Sequence, residues 1–238
     1  MNKILKTFAA CFIGLLPVAT FAKTSEAEQV RKIIDKVNQH WQAENKPEVR
    51  SFWDNAAYHT GNMEAYLLTG NETYRAYSEA WAKHNEWKGA KSNDRSQWKY
   101  SYGESDEYVL FGDYQICFQT YADLYNLAPE DYKIKRAREV MEYQMSTPQN
   151  DYWWWSDGLY MVMPVMTKLY KITHNSLYLD KLYEYIAYSD QIMFDKEENL
   201  YYRDAKYVYP KHKSVNGKKD FWARGDGWVL AGLAKVLK

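Results

Sequence analysis

Three aspartates recur at matching places in the chain. Asp54 lies 12 residues before Tyr66, Asp113 lies 12 before Tyr125, and Asp157 lies 13 before Tyr170. Aromatic surface accompanies them: Trp53 precedes Asp54, and Asp157 follows Trp153-Trp154-Trp155-Ser156. Apolar surroundings raise the proton affinity of a carboxyl, and a second carboxylate nearby raises it further. Asp113 and Asp157 are therefore a candidate acid pair, with a proton held near neutral pH for general acid catalysis. Each acid also has a structural reading, because Asp favours helix N-caps and complements the macrodipole in the first turn. Asp54 suits capping and substrate positioning equally. A second cluster, Trp222-Ala-Arg224-Gly-Asp226-Gly-Trp228, sets two indoles around one guanidinium. That suits a sugar acid, with a stacking face from Trp and a two-pronged grip on a carboxylate from Arg. The alternative is an Arg that satisfies helix-end carbonyls.

The elements that must position these groups read as helices. Apolar residues recur at helical spacing over about 25–44, 54–69, 72–87, 110–126, 130–146, 157–173, 177–194 and 223–237. Gly70-Asn71, Ala128-Pro129 and Thr173-His174-Asn175 break them. The stretch Asn199 to Pro210 alternates in a β-prone, aromatic pattern, and with Asn216-Gly217 it predicts a hairpin within a loop. A weak repeat relates Ala65–Tyr74, Leu124–Tyr132 and Leu169–Tyr178: an apolar helix ends at an aromatic, a short polar turn follows, and a second helix opens near a Tyr. The repeat unit is a helical hairpin whose first helix starts with an acid. A ring of such hairpins brings the acids to one mouth.

Composition limits the function classes. The chain has 238 residues, 31 Lys plus Arg against 31 Asp plus Glu, and 17% aromatics. Zero net charge lacks the basic footprint of a nucleic-acid binder. The HExxH, GxSxG, GxGxxG and P-loop patterns are absent, and His and Cys show no zinc spacing. At the N-terminus, Lys3 and Lys6 precede an apolar run from Phe8 to Leu16 that is too short to span a bilayer. Thr20-Phe21-Ala22 then offers a cleavage site, so residues 1–22 read as a signal peptide and the mature chain as exported, periplasmic or secreted. Cys11 leaves with that peptide, and Cys117 remains as a lone thiol in an apolar helix, read as buried and inert.

The segments Ser51-Phe52-Trp53-Asp54-Asn55, Gly112-Asp113-Tyr114, Trp155 to Pro164 and Phe221 to Trp228 resemble the unsaturated uronyl hydrolases of glycoside hydrolase families 88 and 105, especially the unsaturated rhamnogalacturonyl hydrolases. The resemblance implies an all-α, (α/α)6 toroid of helical hairpins. It implies that residues 23–238 are the N-terminal part of the catalytic domain, about four hairpins of six, with exposed apolar faces and a tendency to self-associate. The implied reaction removes a 4,5-unsaturated uronic acid from the non-reducing end of lyase-made oligosaccharides of the rhamnogalacturonan or pectin type, by hydrating the enol ether. Asp157 matches the general acid/base and Asp113 the second acid, expected to bind hydroxyls and raise the proton affinity of Asp157. Trp53, Asp54, Trp155, Trp222, Arg224 and Trp228 match substrate-binding positions, with Arg224 near the sugar carboxylate. The expected partner is the unsaturated uronyl oligosaccharide. No metal, organic cofactor, nucleic acid or membrane (after signal removal) is implied. Two positions depart from the pattern: Arg203 follows Tyr202 where the family often has His, and Asp226 stands where Asn is frequent. The alternatives are a non-catalytic carbohydrate-binding toroid, an inactive fragment, or another sugar enzyme on this fold. A lyase would need a base for the C5 proton, and no clear Tyr/His pair emerges from the sequence.

Overall fold

The computed structural model describes residues 25–238; the expected signal peptide lies outside the described residues. The helices are α1 (Glu26–Glu44), α2 (Trp53–Thr69), α3 (Glu72–His84), α4 (Gly112–Gln115), α5 (Cys117–Leu127), α6 (Tyr132–Ser146), α7 (Ser156–Thr173), α8 (Leu177–Met193) and α9 (Ala223–Leu237). They follow the expected spans closely. The expected 110–126 helix is divided at Ile116, which keeps helical dihedrals, into α4 and α5. The expected 72–87 helix stops at His84, because Glu86 and Trp87 turn to positive φ and Trp87 buries its indole.

The hairpins α2/α3, α5/α6 and α7/α8 stand side by side as in an α/α toroid. The first helices form the inner row: α2 packs on α5, α5 on α7, and α7 on α9. Buried Met161, Val162, Met163, Val165, Met166 and Leu169 make α7 the centre of the core. Gly70 and His174, both in the left-handed region, close α2 and α7 and reverse the chain into the outer helix. No described helix is long and apolar enough to cross a membrane.

Two local features fix the inner row. Pro164 within α7 has no N–H to give the carbonyl of Tyr160 one turn earlier. Buried Gln119 of α5 supplies the missing donor: its Nε2 donates to the carbonyls of Tyr160 at 2.8 Å and Met161 at 3.0 Å. On α9, Gly225 and Gly232 lie two turns apart on the face against α7. A Cβ on Gly225 would meet Ser156 Oγ at 2.7 Å, and one on Gly232 would meet the Leu159 carbonyl at 3.0 Å. The absence of side chains there lets α9 lie directly on α7.

The expected hairpin over 199–210 is corrected. The ladder is only β1 (Phe194–Asp195) with β2 (Leu200–Tyr201), antiparallel, so the partner strand precedes the patch. Asn216-Gly217 makes a tight turn without strands, with Gly217 N–H bonded to the Ser214 carbonyl. Of the aromatic side chains that suggested a strand, Tyr202 turns inward while Tyr209 is exposed. Tyr202 is buried against Phe221, ring centroids 4.7 Å apart. Cys117 is fully buried, as expected.

Replacing Gln119 by Leu keeps the volume but leaves the Tyr160 carbonyl unpaired. Urea denaturation should show a loss of about 1–3 kcal/mol. An unchanged midpoint would mean that the carbonyl finds another donor.

Candidate active site

The inner helices share an unusual start. The N-cap residues of α2, α4, α7 and α9 are Phe52, Phe111, Trp155 and Trp222, each extended and without a side-chain cap bond. Asp54, Asp113 and Asp157 therefore are not caps; they stand at the second position of the first turn. The macrodipole favours negative charge there. The cap aromatics Phe111, Trp155 and Trp222 supply a wall beside Asp113 and Asp157, whereas Phe52 is buried in the core.

These starts open into one cleft of about 580 Å³. Of the expected residues, the structure brings Trp53, Asp113, Trp155, Asp157, Trp222 and Arg224 to its lining. Trp154 lines it as well, whereas Trp153 is buried in the core against Tyr185. Trp155 packs at 4.6 Å from Trp154 and 4.9 Å from Phe111, and its indole rests on Gly112 and Gly158. A Cβ on Gly112 would meet it at 3.0 Å.

Two expected residues lie elsewhere. Asp54 is exposed and pairs with Arg50 at 3.0 Å, and Arg50 also holds Glu104 at 2.7 Å. Its charge still reaches Asp113. Trp228 packs against Tyr160, centroids 4.6 Å apart, away from the cleft. Six helical residues turn the chain by roughly 240°, so Trp222 and Trp228 point to different sides of α9. Asp226 is explained by the backbone: its Oδ1 accepts from the Tyr201 N–H at 2.7 Å, which ties β2 to α9. It is not paired to Arg224, whose guanidinium lies 4.2 Å from the centre of the Trp222 ring.

The carboxyl pair is asymmetric. Asp113 is 5% exposed and takes no hydrogen bond from the described residues. Burial, then the charge of Asp157, then Glu104 and Asp54, push it up to about 8. Burial raises Asp157 too, but its own backbone N–H, Arg224, Ser156 and Arg203 oppose that rise. The expected direction of influence is therefore reversed: the charge of Asp157 lifts Asp113. Near neutral pH the first proton of the pair rests on Asp113.

Sequence reasoning missed the loops. The lining also includes Tyr102, Arg203, Tyr207 and Asp220, none on a periodic element. Arg203 is fixed to the start of α7, because the Ser156 N–H donates to its carbonyl at 2.9 Å and Trp155 bridges Asp204. Its Nη1 donates to Tyr207 Oη at 2.9 Å. His212 packs on the Tyr207 ring at 4.6 Å and shares a 2.6 Å hydrogen bond with Asp220. Tyr207 at the cleft and His212 behind it thus form a pair that did not emerge from the sequence. Its signal was faint: an Arg and a Tyr four residues apart in a patch that resembled a strand. Among the described residues no group of three or more His, Cys, Asp or Glu is set to hold a metal ion.

Comparison with known proteins gives a consistent family. The description of glycosyl hydrolase family 88 matches residues 26–238. An unsaturated 3S-rhamnoglycuronyl hydrolase of Formosa agariphila is 31% identical over 198 residues, 78% of this chain and 50% of its own length. A solved polysaccharide lyase is 74% identical with a TM-score of 0.88, covering 90% of this chain and 60% of that one. A solved glycosyl hydrolase family 88 protein from Bacteroides vulgatus is 64% identical with a TM-score of 0.88, covering 89% and 61%. The chain thus spans about half the length of that curated relative and about 60% of these solved ones.

The folded chain binds the Asp113 proton more tightly than the unfolded chain does. Stability therefore falls as pH rises from the ordinary carboxylate range through about 8. Asp113→Asn removes the charge that would have to be buried. In calorimetry its melting temperature should gain at least about 2 °C on wild type between mildly acid and mildly alkaline pH. A constant difference would return Asp113 to ordinary carboxylate behaviour.

Proposed function

The chain belongs to glycoside hydrolase family 88, and from that premise we propose that it hydrolyses oligosaccharides ending in a 4,5-unsaturated uronic acid. The observation that carries this reading is the placement of buried Asp113 and half-buried Asp157, both with raised proton affinity, in a tryptophan-lined cleft beside Arg224. Enol-ether hydration needs one proton at C4 and one water at C5. It needs no attack at the anomeric carbon, so a single carboxyl can serve as acid and then as base.

In this reading Arg224 grips the sugar carboxylate, and Trp222 and Trp155 face the ring. Engaging Arg224 takes positive charge away from Asp157 and raises its proton affinity. The proton then passes to Asp157 and on to C4, and the restored carboxylate accepts the proton of the water that adds at C5. The hemiketal so formed opens, and the glycosidic bond is lost with it. Asp113, left ionised, binds substrate hydroxyls. The aglycone is assigned to a rhamnosyl type, in line with the curated relative's name. Export, on the leader over residues 1–22, places the reaction outside the cytoplasm, where lyase-made oligosaccharides arise.

A second reading, eliminative cleavage of a saturated glycuronide, is favoured by one observation: the 74% identical structure is a polysaccharide lyase. The two reactions have opposite optical signs, since hydration consumes a conjugated double bond and elimination creates one.

The test is ultraviolet absorbance with unsaturated glucuronyl- and galacturonyl-rhamnose. Wild type should lose absorbance, and Asp157→Asn should slow that loss by about 10²–10⁴-fold. Arg224→Gln should act mainly through a higher KM. Folded protein that leaves every unsaturated uronide intact would contradict the hydrolase reading.

A further inference from the structure

Hydration leaves one part of the cleft without a task. Arg203, Tyr207, His212 and Asp220 form a connected chain; Arg203 lowers the proton affinity of Asp157, while hydration gives Tyr207, His212 and Asp220 no step. Tyr207 lines the cleft, and its phenolic oxygen accepts from Arg203 Nη1 at 2.9 Å. The ring is held from the other side by His212, which Asp220 anchors at 2.6 Å. Arg203 is in turn fixed by its carbonyl to the first residue of α7, next to Asp157. A tyrosine held so firmly, with a guanidinium on its oxygen, is more than a stacking surface. Positive charge stands against the atom that becomes negative when the hydroxyl proton leaves.

Resting on the second reading above, we propose that Tyr207 is the catalytic base of a β-elimination in this same cleft, acting on 4-O-glycosylated hexuronides. The Arg203 guanidinium stays hydrogen-bonded to the Tyr207 oxygen through the step. That oxygen takes the C5 proton. The C5–H electron pair becomes the C4=C5 double bond, and the C4–O bond breaks with its electrons on the departing oxygen. Arg224, paired to the substrate carboxylate, stabilises the charge that C5 sheds into that group. Asp113, which holds a proton at neutral pH, gives it to the departing oxygen. The products are an unsaturated uronide and a free hydroxyl, with no water consumed. Exchange with solvent returns a proton to Asp113 and removes one from Tyr207. His212 and Asp220 are positioning residues that fix the phenol ring.

The experiment uses a panel of 4-O-glycosylated glucuronides and galacturonides and follows the gain of ultraviolet absorbance. Wild type should show a gain on at least one member, and C5 deuteration of that substrate should slow it. Tyr207→Phe keeps the ring and removes only the oxygen. It should lower kcat at least about 100-fold with KM changed less than about threefold. If Tyr207→Phe melts below wild type, Arg203→Gln serves as the second variant, with the same expected fall in kcat. A wild-type gain that survives both substitutions would overturn the assignment of Tyr207 and leave the eliminative reading standing. No release of the 4-O-linked sugar from any member, read by chromatography on protein that consumes unsaturated uronides, would overturn both together and leave hydration alone.

Discussion

Two carboxyls cannot both be ionised inside a wall of indole rings without a large desolvation cost. The rest of the site follows from how that conflict is settled. Asp113 sits deepest, without a donor, and keeps its proton. Asp157 stands nearer to Arg203 and Arg224 and carries the charge more readily. The aromatic N-caps Phe111, Trp155 and Trp222 make the wall, and the inner helices bring their first turns to one opening. The fold is the means by which an acid and its conjugate base are kept within one cleft at neutral pH.

That arrangement depends on exact backbone proximity more than on any single strong contact. Gly112 and Gly158 make room for the Trp155 indole, so the wall stands directly against both acids. Gly225 and Gly232 let α9 lie on α7, which carries Trp222 and Arg224 to the acid pair. Gln119 supplies the hydrogen bond that Pro164 forfeits in the helix bearing Asp157. Each of these acts through distance and burial, and burial sets the proton affinities.

The helices were legible in the sequence, because inner helices such as α7 keep a continuous apolar face and their turns carry Gly70, Pro129 or Asn175. The acid pair was legible because repeated hairpins place like residues at like positions. Asp54 and Trp228 matched the same pattern, yet one meets Arg50 at the surface and the other points to Tyr160. The pattern records position along a helix and not the side it faces. Arg203, Tyr207 and Asp220 escaped because loops have no period. Their aromatic alternation read as a strand, whereas tertiary packing against α7 and Phe221 decided their conformation. Asp226 stood out in the sequence only as a departure from a frequent Asn, and it is the partner of a backbone N–H in β2.

The central claim is that one proton stays in the cleft at neutral pH and that Asp113 holds it. The direct measurement is the pH titration of the aspartate carboxyl carbons by NMR on protein with labelled aspartate, assigned with Asp113→Asn. The account predicts that Asp113 is protonated at neutral pH and titrates at about 8. Two carboxyls already ionised in the ordinary carboxylate range would contradict it and remove the acid on which the proposed chemistry relies.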